Sequence, residues 1–153
     1  MFTIDTGEMR ARVSKHHAHI IESLTIGDRI VAQNATLIAI RGRPEPPGVL
    51  RDIEMRGDIE RATLEQSGPV RAVVKQEGRM IEPAANGGRV WLPFTVRLTF
   101  FAGSGEIQLT HSFVFDGDGN KDFLKGLGLS FEVPFKEELH NRHVRFAGDG
   151  DGV

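Results

Sequence analysis

From Trp91 to Phe100 the chain alternates. Phe94, Val96, Leu98 and Phe100 fall on one side of an extended strand, and Thr95, Arg97 and Thr99 fall on the other. A helix would scatter these side chains around its axis, so the period of two fixes a half-buried strand. Ala102-Gly103-Ser104-Gly105 supplies a turn. The alternation then resumes from Glu106 to Phe115, with Ile107, Leu109, His111, Phe113 and Phe115 on one face. The two runs predict a long antiparallel hairpin. A third run, Leu127, Leu129, Phe131 and Val133, ends at Pro134, which has no N–H to give a ladder. Upstream, Val70, Ala72 and Val74 alternate with Arg71, Val73 and Lys75. That strand is expected to pair with the one starting near Arg89, through Ala84-Ala85-Asn86-Gly87-Gly88, where Asn-Gly favours a turn with positive φ.

The first half is less regular. Strands are expected near Phe2–Asp5, Glu8–Val13, His19–Leu24, Arg29–Val31, Ala35–Ile40 and Asp58–Glu65, with turns at Asp5-Thr6-Gly7 and Gly27-Asp28. Arg41–Gly48 carries three prolines and two glycines and reads as a loop. Only Lys136–His140 looks like a helical turn, and Val144 and Phe146 begin one more strand pattern. About ten short strands with long hairpins in one stretch of 153 residues predict an all-β fold, an antiparallel β-sandwich spanning 1–153 as a single domain.

Composition removes several function classes. Nineteen basic residues stand against twenty-one acidic ones, which argues against a nucleic-acid-seeking surface. No cysteine is present, so no disulfide, thiolate zinc site or thiol nucleophile can form. No apolar run reaches the ~20 residues of a membrane-spanning helix, so no membrane partner is expected. The N-terminus starts on a strand pattern with no basic-then-apolar leader. That start, and the Gly/Asp-rich stretch Gly148–Val153, lead us to expect a piece of a larger protein.

Few clusters could carry chemistry. Asp116-Gly117-Asp118-Gly119-Asn120-Lys121-Asp122 opens like a calcium-binding loop, but Lys121 stands where that loop needs glycine and Leu127 where it needs a bidentate glutamate. A polar turn is expected there. Lys15-His16-His17-Ala18-His19 could place His17 and His19 on one face of a strand, yet no carboxylate or cysteine nearby completes a metal set, and no metal is expected. His111 lies on the apolar face of its strand and reads as a core histidine with one satisfied hydrogen bond, or as a strand end opening into a cleft. Trp91 is the sole tryptophan and tyrosine is absent, a thin supply of rings for stacking on sugars. The densest set of cationic and proton-transfer groups is His140-Asn141-Arg142-His143-Val144-Arg145. With Val144 and Phe146 inward, His143 and Arg145 share the opposite face. Such a set could bind a carboxylate and move a proton, or it could be a solvated basic strand edge.

Several long strings carry a resemblance. They are Ile4-Asp5-Thr6-Gly7, Glu65-Gln66-Ser67-Gly68-Pro69-Val70-Arg71-Ala72-Val73-Val74-Lys75 and Trp91-Leu92-Pro93-Phe94-Thr95-Val96-Arg97-Leu98. Phe115-Asp116-Gly117-Asp118, Lys121-Asp122-Phe123-Leu124-Lys125-Gly126-Leu127-Gly128-Leu129 and Glu138-Leu139-His140-Asn141-Arg142-His143-Val144-Arg145-Phe146-Ala147-Gly148 follow in order. In this order they resemble the N-terminal β region of the exo-rhamnogalacturonan lyase-like family, which includes polysaccharide lyase family 26. The resemblance implies a β-rich region followed by a helical toroid, with the substrate cleft between them. It also implies export or a periplasmic location, although this chain shows no signal peptide.

The implied chemistry is β-elimination at a uronic acid of a pectic polysaccharide. Arg142 and Asn141, with Arg145, would bind the sugar carboxylate, and His143 or His140 would act as base or acid, with no cofactor. The alternative is a non-catalytic sandwich that binds carbohydrate or docks on a downstream domain of the same parent chain. An apolar face orphaned from that domain would drive a homodimer.

Overall fold

The computed structural model describes residues 1–46 and 48–142. His143, Arg145 and the strand pattern at Val144 and Phe146 lie outside the described residues. Nine strands form one antiparallel ladder: β1 (Phe2–Asp5), β2 (Arg10–Val13), β3 (His19–Ile26), β4 (Arg29–Glu45), β5 (Val49–Ser67), β6 (Arg71–Ile81), β7 (Val90–Phe101), β8 (Ile107–Phe113) and β9 (Phe123–Glu132). Neighbours along the chain pair from β1 to β8, and β9 returns to pair with β4.

The long strand β4 organises the fold. Gln33 and Thr36 pair at once with Ser23 and His19 of β3 and with Glu132 and Ser130 of β9, so β3 and β9 occupy opposite edges. Ile38 pairs at once with Arg56 of β5 and Gly128 of β9, so β5 takes over the edge that β3 leaves. β5 repeats the device. Its first part pairs with β4 and its remainder, from Arg56 to Ser67, pairs with β6. The ladder therefore folds over along β4 and β5 into two facing layers, β1–β4 with β9 and β5–β8.

One core fills the space between the layers. Ala11 and Val13 of β2, Ile20 and Ile21 of β3 and Leu37 of β4 meet Val74 of β6 and Trp91, Phe94, Val96, Leu98 and Phe100 of β7. Full burial of side chains this large stabilises by roughly 1.5–3 kcal/mol each. Gln76 of β6 is buried among them. Its Nε2 donates to the carbonyls of Ser14 (2.8 Å) and Ile20 (2.9 Å), tying the layers together by hydrogen bonds. At one end the turns close on each other, with Thr6 Oγ1 within 2.7 Å of the Ser104 carbonyl.

Four expectations are revised. Arg29–Val31 and Ala35–Ile40 are parts of one 17-residue strand, whose ladder with β9 shifts register beside Asn34. Much of the supposed loop Arg41–Gly48 is the end of β4, up to Glu45. Pro44 is tolerated because the β9 ladder stops at Gly42, leaving the proline a strand neighbour, Leu50, on one side only. The strand expected at Asp58–Glu65 is the middle of the 19-residue β5. The turn expected at Lys136–His140 is a single 3-10 turn at Leu139–Asn141. Gly87 follows the 3-10 turn Ala84–Asn86 with a φ of 112°, as the Asn-Gly signal requires.

Candidate functional site

The outer face of β5–β8 is polar by construction, since the residues that alternate with the core face outward. Arg61, Glu77, Thr95 and Ser112 stand in one row across four strands. Thr63, Lys75, Arg97 and Thr110 form the next row. The face is zwitterionic. Lys75 and Arg61 hold the Glu77 carboxyl below the usual range. Arg97 does the same for Glu65 through a hydrogen bond of 2.9 Å.

Beside the first row the sheet bends. Ile59 pairs with Gly78 but Arg61 with Glu77, so Glu60 is an extra residue in β5. Gly78 pairs with Phe94 but Met80 with Trp91, which puts an extra residue in β7 next to Leu92, whose φ is 49°. Bulges bend a strand and increase its twist. Here they adjoin on neighbouring strands and produce a transverse groove of about 550 Å³, bordered by Glu60, Arg61, Glu77, Arg79, Thr95 and Ser112. Gly78 belongs at its floor because a Cβ there would meet the Asp58 carbonyl at 2.0 Å. The arrangement offers hydroxyls, guanidinium groups and carboxylates along an open trough, with Pro93, Phe113 and Val114 as the apolar part of its lining.

The cluster singled out from sequence lies elsewhere. His140 and Asn141 belong to the 3-10 turn and Arg142 follows it, all three exposed. Arg142 Nε donates to the Glu137 carbonyl at 2.6 Å, and the Glu137 carboxylate reaches Arg29 at 3.6 Å. The turn is thus anchored to the β3–β4 hairpin.

Other candidates take structural positions. Trp91 is 1% exposed and its N–H points at Met55 Sδ, so it cannot stack on a sugar. The Asp116–Asp122 loop spends its carboxylates internally. Asp116 accepts from the Leu92 backbone N–H at 2.7 Å. Asp122 accepts from Arg89 (2.7 Å), Arg41 (3.3 Å) and the Asp118 backbone N–H (2.8 Å). Arg89 above all, and then the Asp118 N–H, hold the Asp122 carboxyl below its usual value. Arg41 is also paired with the buried Glu82 at 2.6 Å, and the Arg89 guanidinium sits 4.5 Å over the Trp91 ring. This network pins the β8–β9 loop to β4 and β7.

His16, His17 and His19 diverge. His16 Nδ1 meets the Glu60 carbonyl, the His17 backbone bridges Ile59, and His19 Nδ1 meets Thr36 Oγ1. Among the described residues no group of three or more His, Cys, Asp or Glu could hold a metal. His111 lies between Phe94 and Phe113, and among the described residues its buried Nε2 meets no hydrogen-bond partner. Burial pushes its pKa down.

Sequence reasoning found the outward alternation but not the groove. The rows could be read from Thr95, Arg97 and Thr99. The bulges at Glu60 and Leu92 leave no signature in composition or periodicity.

A family model described as the PcRGLX-like protein central beta sandwich domain matches residues 1–153. The chain belongs to this rhamnogalacturonan lyase-like family. The family is the one the sequence strings point to. Its description calls the sandwich central, whereas the resemblance above is to an N-terminal region. The uncharacterised protein YetA of Bacillus subtilis (strain 168) is 41% identical over 149 residues, 95% of this chain. The chain spans 17% of that relative's length.

Proposed function

We propose that this sandwich is a carbohydrate-contacting domain of a rhamnogalacturonan lyase-like protein that acts on pectic polysaccharide by β-elimination at a uronic acid. Elimination needs a neutralised carboxylate, a base at the acidic carbon and an acid at the leaving oxygen. The transverse groove supports the binding part of this reading, because its polar rows match an extended saccharide. The chemical part is assigned to the cleft made with the rest of the parent protein. There Arg142 and Asn141, with Arg145, meet the carboxylate, and His143 or His140 moves the proton. The exposure of His140, Asn141 and Arg142 fits a turn whose opposite wall comes from another part of the protein.

The test uses rhamnogalacturonan backbone oligosaccharides. This chain alone should bind them and give no rise in absorbance near 235 nm, where unsaturated uronates absorb. The full-length protein should give the rise and lose it in His143→Ala or Arg142→Ala. Thr95→Val with Ser112→Ala should weaken binding by the isolated chain. Folded protein that binds no oligosaccharide, or full-length protein that shows no elimination, would defeat the corresponding half of the proposal.

A second reading, docking, is favoured by one observation. Among the described residues β8 and β9 each have a strand neighbour on one side only, and the apolar residues between them, including Leu109, Leu129 and Phe131, stay partly exposed around a gap of about 180 Å³. On this reading the gap seats another part of the parent chain, and the isolated domain self-associates. Sedimentation checks it: Phe131→Glu should give a monomer where the unaltered chain dimerises, and a monomeric unaltered chain at high concentration would exclude self-association.

A further inference from the structure

The outer side of the other layer holds a second hollow, of about 280 Å³, that the groove does not reach. Its polar lining is His19 of β3, Asn34 and Thr36 of β4, Glu54 and Arg56 of β5 and Glu132 of β9, with Ser130 beside them. Thr36 Oγ1 lies 3.1 Å from the Asn34 carbonyl, to which its single proton can be given. The same oxygen lies 2.9 Å from His19 Nδ1, and a hydroxyl that donates to the carbonyl accepts there from an Nδ1–H. In the neutral ring Nε2 is then a bare acceptor.

Glu132 is held just as firmly. Its Oε2 accepts from Gln33 Nε2 (2.9 Å) and Asn34 Nδ2 (3.1 Å), which keep the carboxyl ionised below its usual range and leave Oε1 as an acceptor. Asn34 adopts a φ of 56°, a conformation costly for a residue with a side chain, and this turns its amide onto Glu132. On the neighbouring strand β5, Arg56 Nε donates to Glu54 at 3.2 Å, and its remaining N–H groups are donors at the border of the hollow. Two carboxylates, Glu54 and Glu132, stand against the one guanidinium of Arg56 in the lining of the hollow. It therefore disfavours anions and presents acceptors for hydroxyl protons, with one donor group for hydroxyl oxygens.

We propose that this hollow is a binding subsite for a neutral sugar, in which His19 Nε2 and Glu132 Oε1 accept from hydroxyls of one pyranose ring. It extends the carbohydrate reading to the opposite layer and stands apart from the groove, so Thr95→Val with Ser112→Ala should leave it intact.

The experiment is histidine ¹⁵N NMR of this chain, titrated separately with methyl α-L-rhamnopyranoside, methyl β-D-galactopyranoside and D-galacturonate. The unliganded spectrum should show His19 protonated at Nδ1. At least one neutral glycoside should shift its Nε2 resonance, and galacturonate should bind roughly fivefold or more weakly through charge repulsion. Glu132→Gln should weaken the neutral glycoside and erase the discrimination. If that variant loses its fold, Glu54→Gln on the exposed strand should reduce the discrimination instead. A His19 protonated at Nε2, no shift with either glycoside up to the solubility limit, or preference for galacturonate would each overturn the proposal. In the Thr95→Val, Ser112→Ala protein the glycoside-induced His19 shift should persist; its loss there would also overturn the proposal, whereas weaker oligosaccharide binding with the shift retained belongs to the groove alone.

Discussion

The two ends of the core are built differently. Where β2 and β3 face β6 and β7, the layers are sealed by Val13, Ile20, Val74 and Leu98, and by the Gln76 hydrogen bonds that cross between them. Where β8 faces β9, the same inward alternation continues, but Leu129 is 36% exposed and Phe131 51%. The chain thus places equally apolar residues in a finished interior and in an unfinished one. Apolar alternation specifies which way a side chain points. It does not specify that something lies opposite to cover it.

The largest test of that contrast is a pair of truncations. Trp91→Ala should cost about 3–5 kcal/mol in urea unfolding, by loss of burial and by the cavity left behind. Leu129→Ala at the open edge should cost about 1 kcal/mol, because solvent or relaxation fills the site. Equal costs would mean that the edge is as finished as the interior. Next comes the ion network that closes the β8–β9 loop. Asp122→Asn takes the carboxylate from Arg89 and one of the two from Arg41, which keeps Glu82, and should cost about 2 kcal/mol at neutral pH. The folded Asp122 pKa is depressed, so its stabilisation is present above the ordinary aspartate value and is lost as pH falls toward the lowered one. Acid titration of the unaltered chain and Asp122→Asn should therefore converge at low pH. Gln76→Leu removes the donor to two buried carbonyls and should cost about 2 kcal/mol. A neutral result would show that water or relaxation satisfies Ser14 and Ile20.

The smallest effect belongs to His111, which borders the open edge. Its folded pKa is lowered by burial, so the unfolded chain takes up the proton more readily and stability falls as pH drops through the ordinary histidine range. His111→Leu should change neutral-pH stability by under about 1 kcal/mol and remove that part of the acid sensitivity. Unchanged acid sensitivity would mean that His111 does not carry it.

These contrasts also explain what could be read in advance. The β6–β7 and β7–β8 pairings follow from alternation and from the Asn86-Gly87 and Gly103 turns, which are local signals. β4 and β5 were hard to read because a prolyl residue and a bulge interrupt them, while their continuity depends on partners far along the chain, such as Leu129 against Leu37. The candidate site was legible only as polar alternation. His19 looked like half of a metal pair. What defines it instead is a hydroxyl proton on Thr36 and a carboxylate on Glu132, both supplied by the fold.

The sharing of β5 by both layers has a metric consequence. Arg56 borders the hollow on one side of the sandwich, and Arg61 borders the groove on the other. Five residues of extended chain join them, roughly 16 Å at about 3.3 Å per residue. Because that segment is held in the β5–β6 ladder on both sides of the Glu60 bulge, the distance is a fixed gauge. Any polymer that wraps the domain from one face to the other is measured against it.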